Sequence, residues 1–212
     1  MRYTVFGATG GTGRQLVRQA LAAGHQVTAV VRDPDRLPVR EHERLEVVVA
    51  GVTDQEALRP AVAGRDAVLS ALGAPTNKAV GIASAGTRAI LGALDAEGVR
   101  RLVVVSAAPV GPPPDGEGPL YRLVLLPLVR RAFRDVYADL AVMENEIRAG
   151  GTDWTVVRPP RLTDGPPTST YQTRFGGAVT GSHTVSRADV AQAMLALVED
   201  PAAVRQVVGV AA

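Results

Sequence analysis

The chain has 212 residues, which fits one domain or one domain with a small appendage, and 46% of them are hydrophobic. The formal net charge is +2, and basic residues alternate with acids, as in Arg40-Glu41-His42-Glu43-Arg44, so we expect no nucleic-acid partner. The absence of cysteine excludes disulfides, thiolate catalysis and cysteine–zinc sites, and three scattered histidines lead us to expect no metal site.

The longest apolar run of the sequence is Leu123–Val129, which has seven residues and contains Pro127. A membrane span needs ~20 apolar residues, so this run is far too short for one. No signal peptide is visible, because Met1 leads straight into the first predicted strand. We therefore expect a cytoplasmic protein with no membrane partner, in which Leu123–Val129 forms either the lid of a pocket or a surface for a protein partner.

Short β-rich runs alternate with helical segments along the chain. Strands are predicted at Arg2–Phe6, Gln26–Val31, Leu45–Val49, Ala67–Ser70, Leu102–Ser106 and Trp154–Val157, with a last strand near Val207–Val210. Helices are predicted at 12–23, 54–63, 80–97 and 135–149, with a last helix after Ser186. The strands are nearly continuous in Val, Leu and Ile, which is typical of strands covered on both faces. The alternation predicts an α/β fold with a parallel sheet and helices on both faces.

Several residues mark the ends of the predicted helices. Thr53-Asp54-Gln55-Glu56 has the capping-box pattern, and Ser186-Arg187-Ala188-Asp189 is its acidic variant. Gly24 and Gly98 stand where glycine is expected to close a helix, and Pro60 is expected to end or kink its helix early.

Two loops interrupt the alternation, each directly after a predicted strand. Ala108–Pro119 holds five prolines and three glycines, a composition that predicts a mobile loop, and Arg158–Gly181 is rich in Pro, Thr and Gly. Open parallel sheets bind their ligands at the carboxyl ends of the strands. We therefore predict one domain over 1–212, with a substrate side formed by segments at about 108–134 and 158–185.

The stretch at 7–13, Gly-Ala-Thr-Gly-Gly-Thr-Gly, joins the first predicted strand to the first predicted helix. Its spacing is G-x-x-G-x-x-G, with glycines at Gly7, Gly10 and Gly13. Glycines at this place allow a tight turn and a close approach of the backbone to a pyrophosphate, which the helix N-terminus then attracts. A glycine match alone is weak evidence, so its value depends on the residues that follow.

Arg32, Asp33 and Arg36 stand at the end of the second predicted strand. Arg32 follows Gly13 by 19 residues. Near this distance an NAD site places an acid for the ribose 2′-hydroxyl, whereas an arginine accommodates the 2′-phosphate of NADP. We therefore predict that Arg32 and Arg36 select NADP(H). The alternatives are that both arginines are solvated loop residues, or that Asp33 serves a ribose hydroxyl.

Three further strand ends carry candidate ligand contacts. Ser70-Ala71-Leu72-Gly73 offers small residues that let the backbone pass close to the adenine ribose and the pyrophosphate, although an ordinary turn would look the same. Val105-Ser106 and Val157-Arg158-Pro159-Pro160 follow the fifth and sixth predicted strands. In a doubly wound sheet these two ends face the nicotinamide half of the crevice.

These residues carry a family resemblance. Residues 7–13, Val-Arg-Asp-Pro at 31–34 and Asp-Trp-Thr-Val-Val-Arg-Pro-Pro at 153–160 are similar to the atypical short-chain dehydrogenases/reductases, in the NAD(P)H-binding, NmrA-like and flavin/biliverdin-reductase-like group. The similarity runs over nearly the whole chain and implies a Rossmann-like fold with NADP(H) as cofactor. It implies a cofactor site that comprises Gly7, Thr9, Gly10, Gly11, Thr12, Gly13, Arg32, Arg36, Leu72 and Gly73, with Ser106 and Pro159 towards the nicotinamide.

The sequence departs from this group at two positions. Many members have Gly-Asp where this chain has Ala50-Gly51, so only backbone contacts to the adenine end are expected from Gly51 and Val52. Arg161 replaces a histidine of the flavin/biliverdin reductases, which puts biliverdin chemistry in doubt. An arginine there could instead hold an acidic or phosphorylated substrate.

Ordinary short-chain dehydrogenases use a Tyr-x-x-x-Lys pair, in which the lysine lowers the pKa of a tyrosine that donates a proton. The only lysine here is Lys78, and Ala74 stands four residues before it, so the pair is absent from the sequence. Ser106 is the best-placed hydroxyl, and it is expected either to hydrogen-bond a substrate carbonyl or only to cap its strand end.

Tyrosines and acids offer weaker catalytic candidates. Tyr121 and Tyr137 lie beyond the first loop, but Tyr137 stands at helical spacing with apolar neighbours, so packing is favoured for it. Tyr171 lies in the second loop, where it could line a substrate pocket. A solvated helix face is expected for three acids, Asp139, Glu144 and Glu146.

The leading functional hypothesis is an NADPH-dependent oxidoreductase that transfers hydride to a small planar acceptor such as a flavin or quinone. Such a reaction needs no dedicated acid, because solvent can protonate the product. One alternative is a ketoreductase or epimerase of specialised metabolism, for which no proton donor is evident. Another is a non-enzymatic NADP(H) sensor of the NmrA-like type. We expect a monomer or a homodimer that binds a small, planar or aromatic molecule.

Overall fold

The computed structural model describes residues 1–37, 39, 41–74 and 81–212 of the chain. Within these residues, ten strands are formed, β1 (Arg2–Phe6), β2 (Gln26–Val31), β3 (Leu45–Val49), β4 (Ala67–Ser70), β5 (Arg101–Val105), β6 (Asp153–Arg158), β7 (Arg161–Thr163), β8 (Gln172–Phe175), β9 (Thr184–Ser186) and β10 (Gln206–Ala211). The same residues form six α-helices, α1 (Gly11–Ala22), α2 (Gln55–Val62), α3 (Ile82–Ala96), α4 (Leu126–Ala132), α5 (Arg134–Ala149) and α6 (Arg187–Glu199). A π-helical turn, Tyr121–Leu125, leads into α4.

Eight of these strands form one sheet in the order β3-β2-β1-β4-β5-β6-β10-β8, and β7 pairs with β9 beside it. Every pair in the large sheet is parallel except β10 with β8. The order β3-β2-β1-β4-β5-β6 is that of a Rossmann-like dinucleotide-binding sheet. In such a sheet all strands are parallel, and the strand order reverses between β1 and β4. The predicted doubly wound parallel sheet is therefore confirmed.

Apolar side chains fill the space on both faces of this sheet. One core cluster lies between the sheet and the helices α1 and α6, and the other between the sheet and α2, α3 and α5. All four residues of β4 are buried, because that strand lies in the middle of the sheet with helices on both sides. This double coverage explains why the strands read as nearly continuous apolar runs.

Most of the predicted elements are present within two residues of their expected bounds, and β1 to β4 have the predicted bounds. Residue 80, the expected start of the third helix, lies outside the described residues. The strands β7, β8 and β9 and the helical conformation of Tyr121–Ala132 were not predicted from the sequence. The three strands have only three or four residues each, too few to show a clear apolar alternation. Pro127 is at the second position of α4, where its missing N–H costs little.

The helix boundaries follow the predicted capping residues with one shift. Asp54, not Thr53, is the N-cap of α2, and its carboxylate accepts a hydrogen bond from the Ala57 N–H at 3.2 Å. Ser186 caps α6 as predicted, since its hydroxyl accepts from the Asp189 N–H at 2.9 Å. Both arrangements satisfy an N–H group that would otherwise lack a partner at the helix start.

Gly24, Gly98 and Pro60 were predicted to mark the ends of helices. Gly24 and Gly98 follow α1 and α3 with φ of +84° and +66°, the left-handed conformation that closes many helices, as predicted. α2 continues through Pro60 and ends two residues later at Val62, within the predicted bounds.

Candidate functional site

The carboxyl ends of the parallel strands meet at one edge of the sheet. The register pairs Phe6 of β1 with Val30 of β2 and with Ser70 of β4, and it pairs Val105 of β5 with Val157 of β6. The glycine loop and the other predicted contact segments follow directly after these residues. The fold therefore brings the sequence-predicted segments to a common edge, where such sheets bind ligands.

The glycine loop needs glycine at two positions for steric reasons. Gly7 has φ of +72°, and a Cβ there would lie 2.5 Å from the carbonyl oxygen of Ala71, after β4. A Cβ on Gly13 would overlap the carbonyl group of Gly7. The loop thus packs tightly against its neighbouring strand and against the first turn of α1, as a dinucleotide-binding turn does.

The N-terminus of α1 is free of capping side chains. Gly10 is the N-cap residue and has no side chain to cap the helix, while its own N–H donates to Gly7. Among the described residues, no acceptor is present for the N–H groups of the first helical turn, Gly11, Thr12 and Gly13. Unpaired N–H groups at the positive end of a helix dipole bind anions, so this turn fits a pyrophosphate.

The residues that the sequence predicts at the adenine end of the cofactor differ in exposure. Val52 and Leu72 are buried, and both lie against the backbone of Gly86 on α3. Gly51 and Gly73 are exposed, and a Cβ on either would meet no atom within 4 Å. At Gly51 and Gly73, backbone groups rather than side chains are therefore accessible.

The threonines of the glycine loop have different surroundings. Thr9 is half-buried, and Thr12 is buried on the first turn of α1 with a relative exposure of 7%. Neither hydroxyl is hydrogen-bonded to another described group. Both threonines lie at the start of the helix, within the segment that the sequence assigns to the phosphates.

Arg32 is exposed directly after β2, and no described carboxylate forms an ion pair with its guanidinium. The neighbouring Asp33 caps the short turn Pro34–Arg36, since its Oδ1 accepts from the Asp35 N–H at 3.1 Å. Arg36 ends that turn, and its carbonyl oxygen accepts a hydrogen bond from Arg14 on α1. The cation of Arg32 is therefore open to a ligand, whereas one carboxylate oxygen of Asp33 already has a backbone partner.

Arg187 is a further cation at the glycine loop, and its position there was not predicted from the sequence. A Cβ added to Gly11 would lie 2.5 Å from the Cδ and 2.7 Å from the Nε of Arg187, so this side chain covers the first turn of α1. Its Nη1 donates to Asp164 Oδ1 at 2.7 Å. No local pattern could reveal the contact, because Gly11 and Arg187 lie far apart in the sequence and meet only through the fold.

Ser106 is buried after β5, and its hydroxyl donates to Glu144 Oε1 at 2.7 Å. The same carboxylate accepts from Arg158 Nε at 2.9 Å and from Arg158 Nη2 at 2.5 Å, and Arg148 donates to it at 2.6 Å. A hydroxyl has one proton, so Ser106 in this arrangement can only accept a further hydrogen bond. The geometry therefore opposes donation to a substrate carbonyl and suits acceptance from an amide group.

Glu144 is an ion-paired residue of the interior and is fully buried, so the expected solvated position is wrong. Burial raises the pKa of its carboxyl, but hydrogen bonds from Arg158 and Ser106 and the charges of Arg158 and Arg148 outweigh burial and hold the pKa below its usual range. The carboxylate is therefore ionised at neutral pH and unsuited to donate a proton.

The other two acids of α5 also have structural partners. Asp139 is buried, which contradicts the expected solvated face, and its carboxylate accepts from the N–H groups of Gly81, Ala83 and Ser84 at the start of α3. Glu146 is paired with Arg88 on α3. α5 packs against α3, and the hydrogen bonds of Asp139 and the ion pair of Glu146 link these two helices.

A small cleft lies beside these strand ends, and Tyr121, Arg158 and His183 are among the residues that line it. The rings of Tyr121 and His183 stack with centroids 4.8 Å apart and planes inclined by 20°. Burial, followed by the charge of Glu117, raises the pKa of Tyr121, so its hydroxyl stays protonated at neutral pH. Tyr137 packs into the core beside Phe133, as predicted, and Tyr171 packs at the edge of the other core cluster.

Pro159 and Arg161 flank the cleft residue Pro160. Pro159 is buried, and its carbonyl oxygen accepts from the Ala108 N–H at 2.8 Å, which joins the two loops at their starts. Arg161 is exposed on β7, and its backbone N–H donates to His183. Lys78 lies outside the described residues, and among the residues that are described no three His, Asp or Glu side chains are close enough to hold a metal.

Comparison with known proteins agrees with this fold. Residues 7–201 match the model of a protein family described as NAD(P)H-binding. A 3-diazoavenalumate denitrifying reductase from a Streptomyces species is 41% identical over 138 residues, which cover 57% of this chain and 44% of the relative. The chain spans about half the length of the first curated relatives that it matches, at 44% and 60%.

Two solved structures are similar over all of this chain. A short-chain dehydrogenase/reductase from Veillonella parvula, solved in complex with NADP, has a TM-score of 0.81 at 22% identity, with 94% of that chain covered. An anaerobillin reductase from Escherichia coli O157:H7 has a TM-score of 0.81 at 22% identity, with 97% of that chain covered. At this identity the two likenesses show the fold.

Proposed function

This chain belongs to the NAD(P)H-binding family, and on that premise we propose that it is an NADPH-dependent oxidoreductase that passes hydride to a small planar acceptor such as a flavin or a quinone. One observation carries the proposal. The uncapped first turn of α1 and the cleft beside Tyr121 and Arg158 follow the carboxyl ends of strands in one parallel sheet. A dinucleotide and a second small molecule can therefore bind side by side.

The chain's own residues supply the binding groups for the cofactor. The N–H groups of Gly11, Thr12 and Gly13 bind the pyrophosphate, and Arg187 adds a cation beside it. Arg32, supported by Arg36, binds the 2′-phosphate. The backbone at Gly51, Val52, Leu72 and Gly73 borders the adenine half, while Ser106 accepts a hydrogen bond from the carboxamide, near Pro159.

NADPH, when bound, supplies a hydride, and the protein supplies position. A planar, electron-poor acceptor needs no dedicated acid, since solvent protonates the reduced ring. This agrees with a site whose buried carboxylate, Glu144, is ionised and whose Ser106 proton is engaged. Arg161, which is exposed next to the cleft residue Pro160, favours an acceptor that carries a negative group. The relative from Streptomyces is named for reduction of 3-diazoavenalumate, which adds that compound to the acceptors worth testing.

The test is oxidation of NADPH by the purified full chain with a panel of acceptors. The panel contains FMN, menadione, biliverdin, 3-diazoavenalumate and, as a non-planar control, a simple aliphatic ketone. We expect turnover with planar acceptors and about tenfold slower turnover in Ser106→Ala, because the nicotinamide loses an orienting contact. Ser84→Ala, which changes a serine on α3, is the matched control and should retain full activity.

Two outcomes separate the alternatives. Tight binding of NADPH without turnover on any acceptor would contradict the reaction and favour a non-enzymatic NADP(H) sensor of the NmrA-like type. Turnover with the ketone in place of the planar acceptors would favour a ketoreductase, for which Tyr121 is the first proton donor to replace.

A further inference from the structure

The segment Leu120–Phe133, which comprises the π-helical turn and α4, exposes a large apolar surface. Leu120, Leu123 and Leu128 are 66%, 75% and 59% exposed. Within Tyr121–Ala132 only Leu126 is buried. Four other apolar side chains of the segment are also exposed, Val124, Leu125, Val129 and Phe133. Contiguous exposed apolar surface of this kind marks an interaction site.

The charged side chains within this segment have one sign, although Glu117 and Asp135 flank it. Residues 118–134 contain four arginines and no acidic residue. Arg130 donates to the carbonyl oxygens of Pro109 and Gly111, which ties the segment to the first loop, and Arg134 pairs with the neighbouring Asp135. Arg122 and Arg131 are exposed, and neither forms an ion pair with any described carboxylate. The segment is thus apolar and cationic together.

Against the expectation of no membrane partner drawn from the sequence, we propose that Leu120–Phe133 binds the surface of a membrane that contains anionic lipid. A helical segment of this composition lies in the plane of the interface, with apolar side chains among the acyl chains and arginines at the anionic headgroups. Among the described residues no helix is long and apolar enough to cross a bilayer. Contact with the membrane is therefore peripheral.

Charge favours a lipid surface over a second copy of the chain. A twofold interface built on this segment would contain Arg122 and Arg131 from each copy, with no acidic residue of the segment itself to neutralise them. An anionic lipid surface instead neutralises each arginine that approaches it.

The segment is joined to the cleft through Tyr121, which stacks on His183. A membrane bound by Leu120–Phe133 would therefore lie beside the residues that line the cleft. The binding proposal itself is independent of the proposed reaction, because lipid binding is measured without cofactor or turnover.

The test is co-sedimentation of the full chain with phosphatidylcholine vesicles that contain either no phosphatidylglycerol or about a third of it. We expect binding to the anionic vesicles only. Leu123→Gln with Leu128→Gln should weaken it about tenfold or more, because apolar side chains no longer enter the interface. Arg122→Glu with Arg131→Glu should weaken it at least about 25-fold, at about fivefold for each arginine lost. Val142→Gln, which changes an exposed valine of α5, is the matched control.

Thermal unfolding of each variant should match the parent, since the replaced side chains are exposed. Absence of binding to anionic vesicles would overturn the proposal. A dimer in size-exclusion chromatography that Leu123→Gln with Leu128→Gln dissociates would assign the surface to a second copy instead. Equal binding to both kinds of vesicle would overturn the role of the arginines.

Discussion

At the scale of single residues, we propose that the side chains after β2 decide between NADPH and NADH. Arg32 has an exposed guanidinium without an ion-pair partner among the described residues. Asp33, the residue that could serve a ribose hydroxyl, has one carboxylate oxygen engaged by the Asp35 N–H. An open cation next to an engaged acid favours a 2′-phosphate over a 2′-hydroxyl.

We therefore expect NADPH to bind at least about tenfold tighter than NADH, and Arg32→Ala to abolish that preference, because a charge-assisted contact to the 2′-phosphate is lost. Calorimetric titration of both cofactors measures the two affinities. Arg100→Ala is the control, since Arg100 precedes β5 at the amino ends of the strands, away from the carboxyl ends where Arg32 lies. Equal affinities of the parent protein for both cofactors would remove the role assigned to Arg32.

At the scale of elements, the contact between α6 and α1 brings a cation to the glycine loop. Arg187 is the first residue of α6, and its side chain covers Gly11. The start of α6 is held by buried Asp189, which bonds Ser186 and the N–H groups of Thr168 and Ser169. Burial raises the pKa of Asp189, but these hydrogen bonds outweigh burial and hold the pKa below its usual range. The hydrogen bonds of buried Asp189 therefore fix the start of α6, and with it the backbone position of Arg187.

Replacement of this cation should weaken cofactor binding. We expect Arg187→Ala to raise the Kd of NADPH about tenfold, the effect of one charge-assisted contact to the pyrophosphate. Asp164→Asn removes the carboxylate that pairs with Arg187 and should leave the affinity unchanged or higher. Fluorescence titration with NADPH measures both variants. An unchanged Kd in Arg187→Ala would show that the arginine only covers the helix.

At the scale of the whole molecule, stability in acid depends on Glu144. This residue joins α5 to the ends of β5 and β6 through Ser106 and Arg158, and its side chain is 1% exposed. Its pKa is lower in the folded than in the unfolded chain. Its contribution to the free energy of unfolding is therefore complete above the unfolded pKa of about 4.3 and is lost as the pH falls through the folded pKa.

Glu144→Gln should lower the free energy of unfolding at pH 7 by about 3 kcal/mol, because the buried guanidinium of Arg158 loses its counter-ion. The difference from the parent should shrink as the pH falls below about 4.3. Urea denaturation at several pH values measures both effects. Glu56→Gln, in an exposed pair with Arg59, should change the free energy by less than about 1 kcal/mol. A difference that is constant with pH would contradict the lowered pKa.

Much of the fold and part of the site could be predicted from local sequence patterns. The bounds of β1 to β4 follow from apolar runs, and the glycines at 7–13 follow from the needs of one tight turn. Such signals lie within a few neighbouring residues. The short strands β7, β8 and β9 carried no such signal. The apolar run Leu123–Val129 was recognised, but the helical conformation of Tyr121–Ala132 was not predicted.

Local sequence patterns were sufficient to predict the parallel α/β sheet, the glycine loop and the cation after β2, because periodicity, turn sterics and strand-end spacing are properties of contiguous residues. The tertiary structure alone decided that Glu144 is buried with Arg158, that Arg187 covers Gly11 and that Leu120–Phe133 faces outward. Burial and pairing between residues far apart in the chain arise only when elements pack, so no local pattern contains them.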